Sequence, residues 1–193
     1  MTKKIFIWVA HPTTGSLNHA IADAYEAGAK QKGAHVRRMN LNEMTLSADF
    51  DGYTGSAELD PDLVEWQNSV AWADHILIIH PYWWGAMPGK AKEVLDRALT
   101  SRFGFKYKAR GLGWEKLLAG KTADAFITSD TPPLLDILLY RKPARRVIKN
   151  QVLGFCGVKV KKVVQFGSVK LAAPKKIQGW LKRAEAMGAK ASS

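Results

Sequence analysis

Apolar and polar positions along the chain fall into five strand-then-helix units. In residues 3–10, Ile5, Ile7 and Val9 alternate with Phe6 and Trp8, so both faces are apolar. Such a strand belongs inside a parallel sheet covered by helices on both sides. A helix over about 17–32 follows, with Ala20, Ile21, Ala24, Tyr25 and Gly28 at helical spacing and Gly33 as its stop. Residues 35–41 form a shorter second strand, and 42–60, interrupted by Gly52 and Gly55, read as a long loop. Asp60-Pro61 has the form of an N-cap with proline at the first helical position, opening a helix to about 73.

The third strand spans 75–79, and a helix over about 88–101 turns Leu95, Ala98 and Leu99 to the core. Residues 102–113 are Gly-rich, basic and aromatic, and 118–120 read as a short helical turn. Strand four covers 121–128, and a helix over about 134–153 is expected to bend near Pro143, which lacks an amide donor. Strand five covers 157–166, and a last helix over about 174–187 leads to a tail expected to fray from about 188. This alternation predicts an α/β, doubly wound, five-stranded parallel sheet of order 2-1-3-4-5 in a single domain over 1–193.

Composition changes the picture in three places. Residues 1–10 carry two lysines and a short apolar run ending in His-Pro, which reads as a first strand rather than a signal peptide. No apolar run reaches the ~20 residues of a membrane span, so no membrane insertion is expected. The single cysteine, Cys156, excludes an internal disulfide and a cysteine metal site, and suits a reducing cytoplasm. It reads as a buried small residue, and His75 and His80 lack a second ligand at useful spacing, so no metal is expected. The formal charge of +12 favours anionic partners: phosphorylated cofactors, nucleic acid or an acidic membrane surface.

In open parallel sheets ligands sit beyond the carboxyl ends of strands, where strand order reverses. Here that point lies between strands one and three, and the two most unusual loops of the chain follow those strands. The loop after strand three, 80–89, places Tyr82, Trp83 and Trp84 between prolines and glycines, a wall suited to a flat, partly polar ring. It reads equally as a loop packed under a helix or against another subunit. The loop after strand one, 13–18, opens a helix with Thr13, Thr14, Gly15 and Ser16. Free amides, partial positive charge and short hydroxyls make a phosphate cradle, against the plainer reading of N-capping by Thr14 or Ser16, worth ~1 kcal/mol. Phosphate and flat ring together suggest a flavin.

Two motifs are set aside. Gly120-Lys121-Thr122 resembles the tail of a P-loop, but Glu115 stands where the first glycine belongs, and the motif precedes a strand. No Gly-x-Gly-x-x-Gly occurs, so a nicotinamide would visit as a substrate.

At these residues the chain resembles the flavodoxin-like NAD(P)H:quinone oxidoreductase (DT-diaphorase-type) family and its shorter bacterial members. Ala10-His11-Pro12 with Ser16-Leu17-Asn18-His19-Ala20 is similar to AHP…SFNHA. Pro81-Tyr82-Trp83-Trp84 with Pro88, Lys92, Asp96 and Arg97 is similar to FPLYW…P…LK…DR. Phe103-Gly104-Phe105-Lys106-Tyr107, Leu118-Ala119-Gly120-Lys121 and Gly154-Phe155-Cys156-Gly157 resemble GFAY, LxGK and HFCG, in register over about 3–168.

The resemblance implies a tightly bound FAD or FMN, NAD(P)H as hydride donor, a quinone-like acceptor reached in two hydride transfers, and a homodimer with sites at the interface. It implies that His11, Ser16, Leu17 and Asn18 hold phosphate and ribityl, joining Thr13 and Gly15 of the cradle, and that Pro81, Tyr82, Trp83, Trp84 and Gly85 line the ring. After strand four, Thr128, Ser129 and Asp130 stand where the family has TTGG. They are expected at the ring's pyrimidine edge, with Asp130 either tuning the flavin or capping the helix at Leu134. Tyr107 and Tyr140 are candidates for the substrate side; no proton donor is assigned. The basic stretch Arg141, Lys142, Arg145, Arg146 and Lys149 reads as a solvated face or as a partner of cofactor phosphates. Two further readings stay open: a flavin-binding regulatory subunit of a membrane transporter, and a basic, non-catalytic binding module on the same scaffold.

Overall fold

A computed structural model describes residues 2–47 and 58–193. Gly52 and Gly55, expected to interrupt the long loop, lie outside the described residues.

The main sheet is built from β1 (Lys4–Val9), β2 (His35–Asn40), β3 (His75–Pro81), β6 (Thr122–Ser129) and β7 (Lys159–Gly167). It runs β2-β1-β3-β6-β7, every pairing parallel. This is the expected 2-1-3-4-5 order once an additional hairpin, β4 (Phe105–Tyr107) with β5 (Trp114–Lys116), is counted separately. Helices α1 (Leu17–Gln31) and α7 (Pro174–Ala191) cover one face; α2 (Pro61–Trp72) and α3 (Gly89–Ala98) cover the other. The alternation of β1 sorts its side chains accordingly. Ile5, Ile7 and Val9 pack with α1 and α7, while Phe6 and Trp8 meet Trp66 of α2 edge-on.

Helices α1 and α7 cross at two glycines. A Cβ on Gly28 would stand 1.9 Å from the Glu185 carbonyl oxygen, and one on Gly188 would stand 1.9 Å from that of Tyr25. This crossing holds α7 helical to Ala191, past the fraying expected at 188.

Three expectations are corrected. The Gly-rich stretch expected without an element carries this hairpin, because three-residue strands are too short to show a period of two; it is held by Trp114 stacking on Phe155 at 4.5 Å. Residues 117–120 are a turn, with the Leu118 amide donating to Cys156 O. The long helix over 134–153 is broken rather than bent: α4 (Pro133–Leu138) ends, Arg141 and Lys142 turn left-handed at φ 57° and 59°, and α5 (Pro143–Arg146) restarts. The residue before proline is sterically excluded from the right-handed helical region, so Lys142 cannot carry the helix through. From α5 the chain continues as a π-helical stretch, Val147–Leu153, and closes in α6 (Gly154–Cys156). Cys156 is buried, and burial pushes its thiol up to about 11.

Candidate functional site

The carboxyl ends of β1, β3 and β6 are neighbours in the sheet, and the loops that leave them meet there. The sheet's hydrogen bonding continues into the loops. The Ala10 amide donates to Ile79 O at 2.8 Å, and the Tyr82 amide donates to Thr128 O at 2.7 Å. Thr128 Oγ1 donates to Asn18 Oδ1 at 2.9 Å, tying the first turn of α1 to the end of β6; both residues are buried.

On the β1 side, Ser16 takes the N-cap position, yet its side chain makes no cap hydrogen bond and the first turn of α1 holds no acid. Ser16 Oγ instead lies 2.8 Å from His19 Nδ1, and His19 Nε2 lies 3.0 Å from Asn42 Oδ1. The capping reading of Ser16 is thereby corrected. An uncapped helix start without a nearby carboxylate favours an anion. Gly15 is needed for conformation, with φ +64°, while the space around it is open. His11 receives the Thr13 amide on Nδ1 at 3.1 Å, and burial lowers its pKa from the ordinary histidine value. Its ring meets Trp83 edge-on at 6.2 Å, which brings the two expected loops together.

On the β3 side, Trp83 and Ala86 bond to each other through both backbone groups, closing a tight turn over Trp84 and Gly85. Trp84 has φ 49° and Gly85 φ 79°. A tryptophan in the left-handed region is uncommon and costs about 1 kcal/mol. The turn therefore holds this ring out at a conformational cost: Trp84 is fully exposed and Trp83 half-exposed. Pro81 is buried at the strand end, and Gly85 faces Pro143 of α5.

Tyr82 connects this loop to α4. Its hydroxyl donates to Asp136 Oδ1 at 2.9 Å, and its pKa is pushed up to about 12 by burial and by that carboxylate. Asp136 is buried while Leu134, Leu135, Ile137 and Leu138 of the same helix are exposed, so α4 turns its one acid inward and its leucines outward. Arg145 stands 3.9 Å from Asp136 and donates through two nitrogens to Gln165 Oε1; Gln165 in turn donates to Ser129 Oγ at 2.9 Å. Asp136 and Gln165 were not among the expected residues. The only sequence signal for Asp136 is a lone acid inside an otherwise apolar run.

This chain uses two side chains expected at the ring's edge. Ser129 Oγ donates to Thr131 O, and the Asp130 carboxylate takes the Lys170 amide at 3.0 Å and its ammonium at 3.3 Å. Asp130 does not cap α4, whose N-cap is Pro132, so the capping reading is corrected. Tyr140 lies in the break after α4, half-exposed and near enough to Tyr82 to affect its ionisation. Tyr107 is not brought to this edge. Its hairpin is anchored through Trp114 on Phe155, just ahead of β7, at the opposite end of the strands. In the basic stretch, Arg145 is turned inward to Gln165, whereas Arg141, Arg146 and Lys149 are exposed. Lys121, from the motif resembling a P-loop tail, donates to Ala71 O and Ala73 O at the end of α2, a helix-terminal role.

The arrangement offers an uncapped helix start, a raised aromatic turn and a half-buried phenol bonded to a buried carboxylate on one sheet edge. Residues 13–18 could receive a phosphate and residues 81–85 could face a flat ring, the two parts that a flavin would present.

Comparison with known proteins follows the same lines. A family profile described as flavodoxin-like fold matches residues 3–188. A ribosyldihydronicotinamide dehydrogenase-like protein of Penicillium crustosum is 30% identical over 65% of this chain, and the match spans 57% of that protein's own length. An uncharacterized NAD(P)H oxidoreductase of Haemophilus influenzae is 27% identical over 84% of this chain and 82% of its own. Among solved structures, an NAD(P)H:quinone oxidoreductase from Methanothermobacter marburgensis superposes with a TM-score of 0.81 at 20% identity, over 98% of this chain and 97% of its own. An FMN-dependent NADH-azoreductase from Bacillus anthracis in complex with FMN superposes at 0.77 and 18% identity, over 98% and 100%.

Proposed function

Because the chain belongs to the family with the flavodoxin-like fold, we propose that it is a flavin-dependent oxidoreductase passing hydride from NAD(P)H to a quinone-like acceptor. The observation that carries this reading is the meeting of the uncapped start of α1 with the Trp83–Ala86 turn on one sheet edge. The names of the Penicillium and Haemophilus relatives support a nicotinamide donor, and the FMN complex of the azoreductase supports a flavin.

Bound flavin would supply the relay between a two-electron donor and a two-electron acceptor. The chain's own part is binding and orientation. Backbone amides at 16–18 and the hydroxyls of Thr13 and Ser16 receive the phosphate; Asn18, fixed by Thr128, stands beside the ribityl. Pro81, Tyr82, Trp83, Trp84 and Gly85 wall the ring, and His11 braces Trp83. Tyr82 commits its hydroxyl to Asp136, and burial with that carboxylate raises its pKa from the ordinary 10 to about 12, so it donates as a phenol. Thr128, Ser129 and Asp130 meet the pyrimidine edge through the end of β6, with the Ser129 and Asp130 side chains held by Gln165 and Lys170. Tyr140 borders the acceptor's approach.

The same reading has two copies of the chain sharing the site. The exposed leucines of α4 and the half-exposed Trp83 form an apolar surface beside the ring wall that supports such a contact. Tyr107, held away from the edge of its own chain, would then serve the partner's site.

The test is a visible spectrum after incubation with FAD or FMN and removal of the excess, followed by anaerobic NADPH or NADH. Retained flavin bands that bleach with either nucleotide are expected. No retained flavin from either source overturns the reading.

A further inference from the structure

His19 has no part in the flavin site as proposed, yet it stands beside residues 13–18. Its ring lies between two oxygens. Ser16 Oγ is 2.8 Å from Nδ1, and Asn42 Oδ1 is 3.0 Å from Nε2. All three residues are half-buried. Asn42 belongs to the turn after β2, so the segments that leave β1 and β2 meet at this ring.

The hydrogens available decide what Ser16 can offer. An amide oxygen only accepts, so Nε2 must carry a hydrogen to meet Asn42 Oδ1. A neutral imidazole has one ring hydrogen, which leaves Nδ1 bare. Ser16 must then donate its hydroxyl hydrogen to Nδ1. In that state Oγ turns only lone pairs to the start of α1, and an anion there is repelled by them. A proton added at Nδ1 reverses the bond. Nδ1–H then donates to Oγ, the Ser16 hydrogen is released for a phosphate oxygen, and the ring gains a positive charge beside it.

The groups around the ring leave this charge for an anion to balance. From the loop after β1, His11 meets His19 edge-on at 6.2 Å. Burial first, and then His19, lower the pKa of His11, against the Thr13 backbone bond that raises it. On α1 itself, Asp23 lies one turn on and is paired with Arg38. From the turn after β2, the Glu43 carboxylate accepts the Asn40 side-chain amide. Among the described residues, no carboxylate is bonded to His19, whose two ring nitrogens face Ser16 and Asn42.

We propose that His19 is the positioning residue of the phosphate seat: a phosphorylated flavin binds together with one proton from solvent, taken up at His19 Nδ1. This rests on the flavin reading of the site. Asn42 acts by fixing Nε2 as a donor, and Ser16 by passing its own hydrogen to the phosphate. The linkage selects for the phosphate, since a flavin without one gives the added charge nothing to balance.

The test is calorimetric titration of the flavin-free full chain at pH 8, with FMN and with riboflavin, in two buffers of different ionisation enthalpy. At this pH the FMN phosphate, whose second pKa is ~6, is a dianion, so a proton taken up goes to the protein. FMN is expected to bind with uptake of at least about half a proton per site, and riboflavin with none. FMN affinity is then expected to fall at least about threefold from pH 7.5 to 8.5. His19→Gln is expected to abolish the uptake, flatten that pH profile and weaken FMN binding at pH 7 at least about tenfold, with secondary structure retained. His11→Asn is expected to keep the uptake. FMN binding without uptake overturns the proposal, as it would if the Asn42 amide turned its NH2 to Nε2. Uptake that survives in His19→Gln, disappears in His11→Asn or is equal for riboflavin also overturns it, and each of these leaves the flavin reading standing. Absence of FMN binding in the visible spectrum overturns the flavin reading and this inference with it.

Discussion

The Tyr82 hydroxyl donates to Asp136 Oδ1 across 2.9 Å, joining the loop after β3 to the helix after β6. Asp136 is the one buried residue of an apolar helix, so this bond decides which way α4 faces. Removing the phenol in Tyr82→Phe leaves the carboxylate with Arg145 at 3.9 Å. The variant is expected to lose about 1–3 kcal/mol of stability in urea denaturation. Flavin affinity, measured by fluorescence titration, should fall about tenfold as the ring wall loosens, equivalent to ~1.4 kcal/mol. Unchanged values for both would show that the bond holds neither helix nor loop.

Trp84 occupies the left-handed region beside Gly85, where Asn-Gly is the favoured pair for a two-residue turn. Trp84→Asn is expected to raise stability by about 1 kcal/mol while lowering flavin retention. Parallel thermal unfolding and flavin titration measure the two effects. A variant less stable than the parent would mean that the turn is not strained.

His80 is fully buried, and burial lowers its pKa to about 4; its Nδ1 lies 2.8 Å from Pro81 O and its Nε2 has no hydrogen-bond partner among the described residues. The unfolded chain takes up this proton near pH 6.5, whereas the folded chain resists until about 4. Stability is therefore lost as pH falls through that window, by about 3 kcal/mol from this group alone. His80→Asn, which keeps a donor for Pro81 O, is expected to flatten the acid limb of stability between pH 7 and 4.5. An identical slope in the variant would assign the acid loss to other groups.

Gly28 and Gly188 face backbone carbonyls at distances that leave no room for a methyl group. Gly28→Ala or Gly188→Ala must push α1 and α7 apart, and each is expected to cost at least ~1–3 kcal/mol. Gly179→Ala lies on the same α7 with open space around it and serves as the control, expected to be neutral or mildly stabilising. Equal Tm values for the three variants would contradict this packing.

Leu138 is 72% exposed on α4. Leu138→Glu is expected to convert a two-copy assembly into single chains by light scattering at micromolar concentration, with secondary structure retained. A wild-type protein that is already a single chain would remove the shared site from the proposed function.

The five main strands, their order and their end loops are legible in the sequence because burial on both faces writes a dense apolar signal. Phe6, Trp8 and Ile76–Ile79 need no partner to be recognised. The proposed cradle at Thr13–Asn18 and the proposed wall at Tyr82–Gly85 are visible for a related reason: hydroxyls, glycines and tryptophans are unusual where loops should be plainly polar. What the tertiary structure decided depends on contacts distant in the chain. Asp136 faces inward only because Tyr82, 54 residues earlier, is there to meet it. Ser129 and Asp130 are occupied only because Gln165 and Lys170 arrive with the neighbouring strand β7 and the turn that follows it. Local pattern records which residues must leave water; it does not record which distant group completes a buried polar atom.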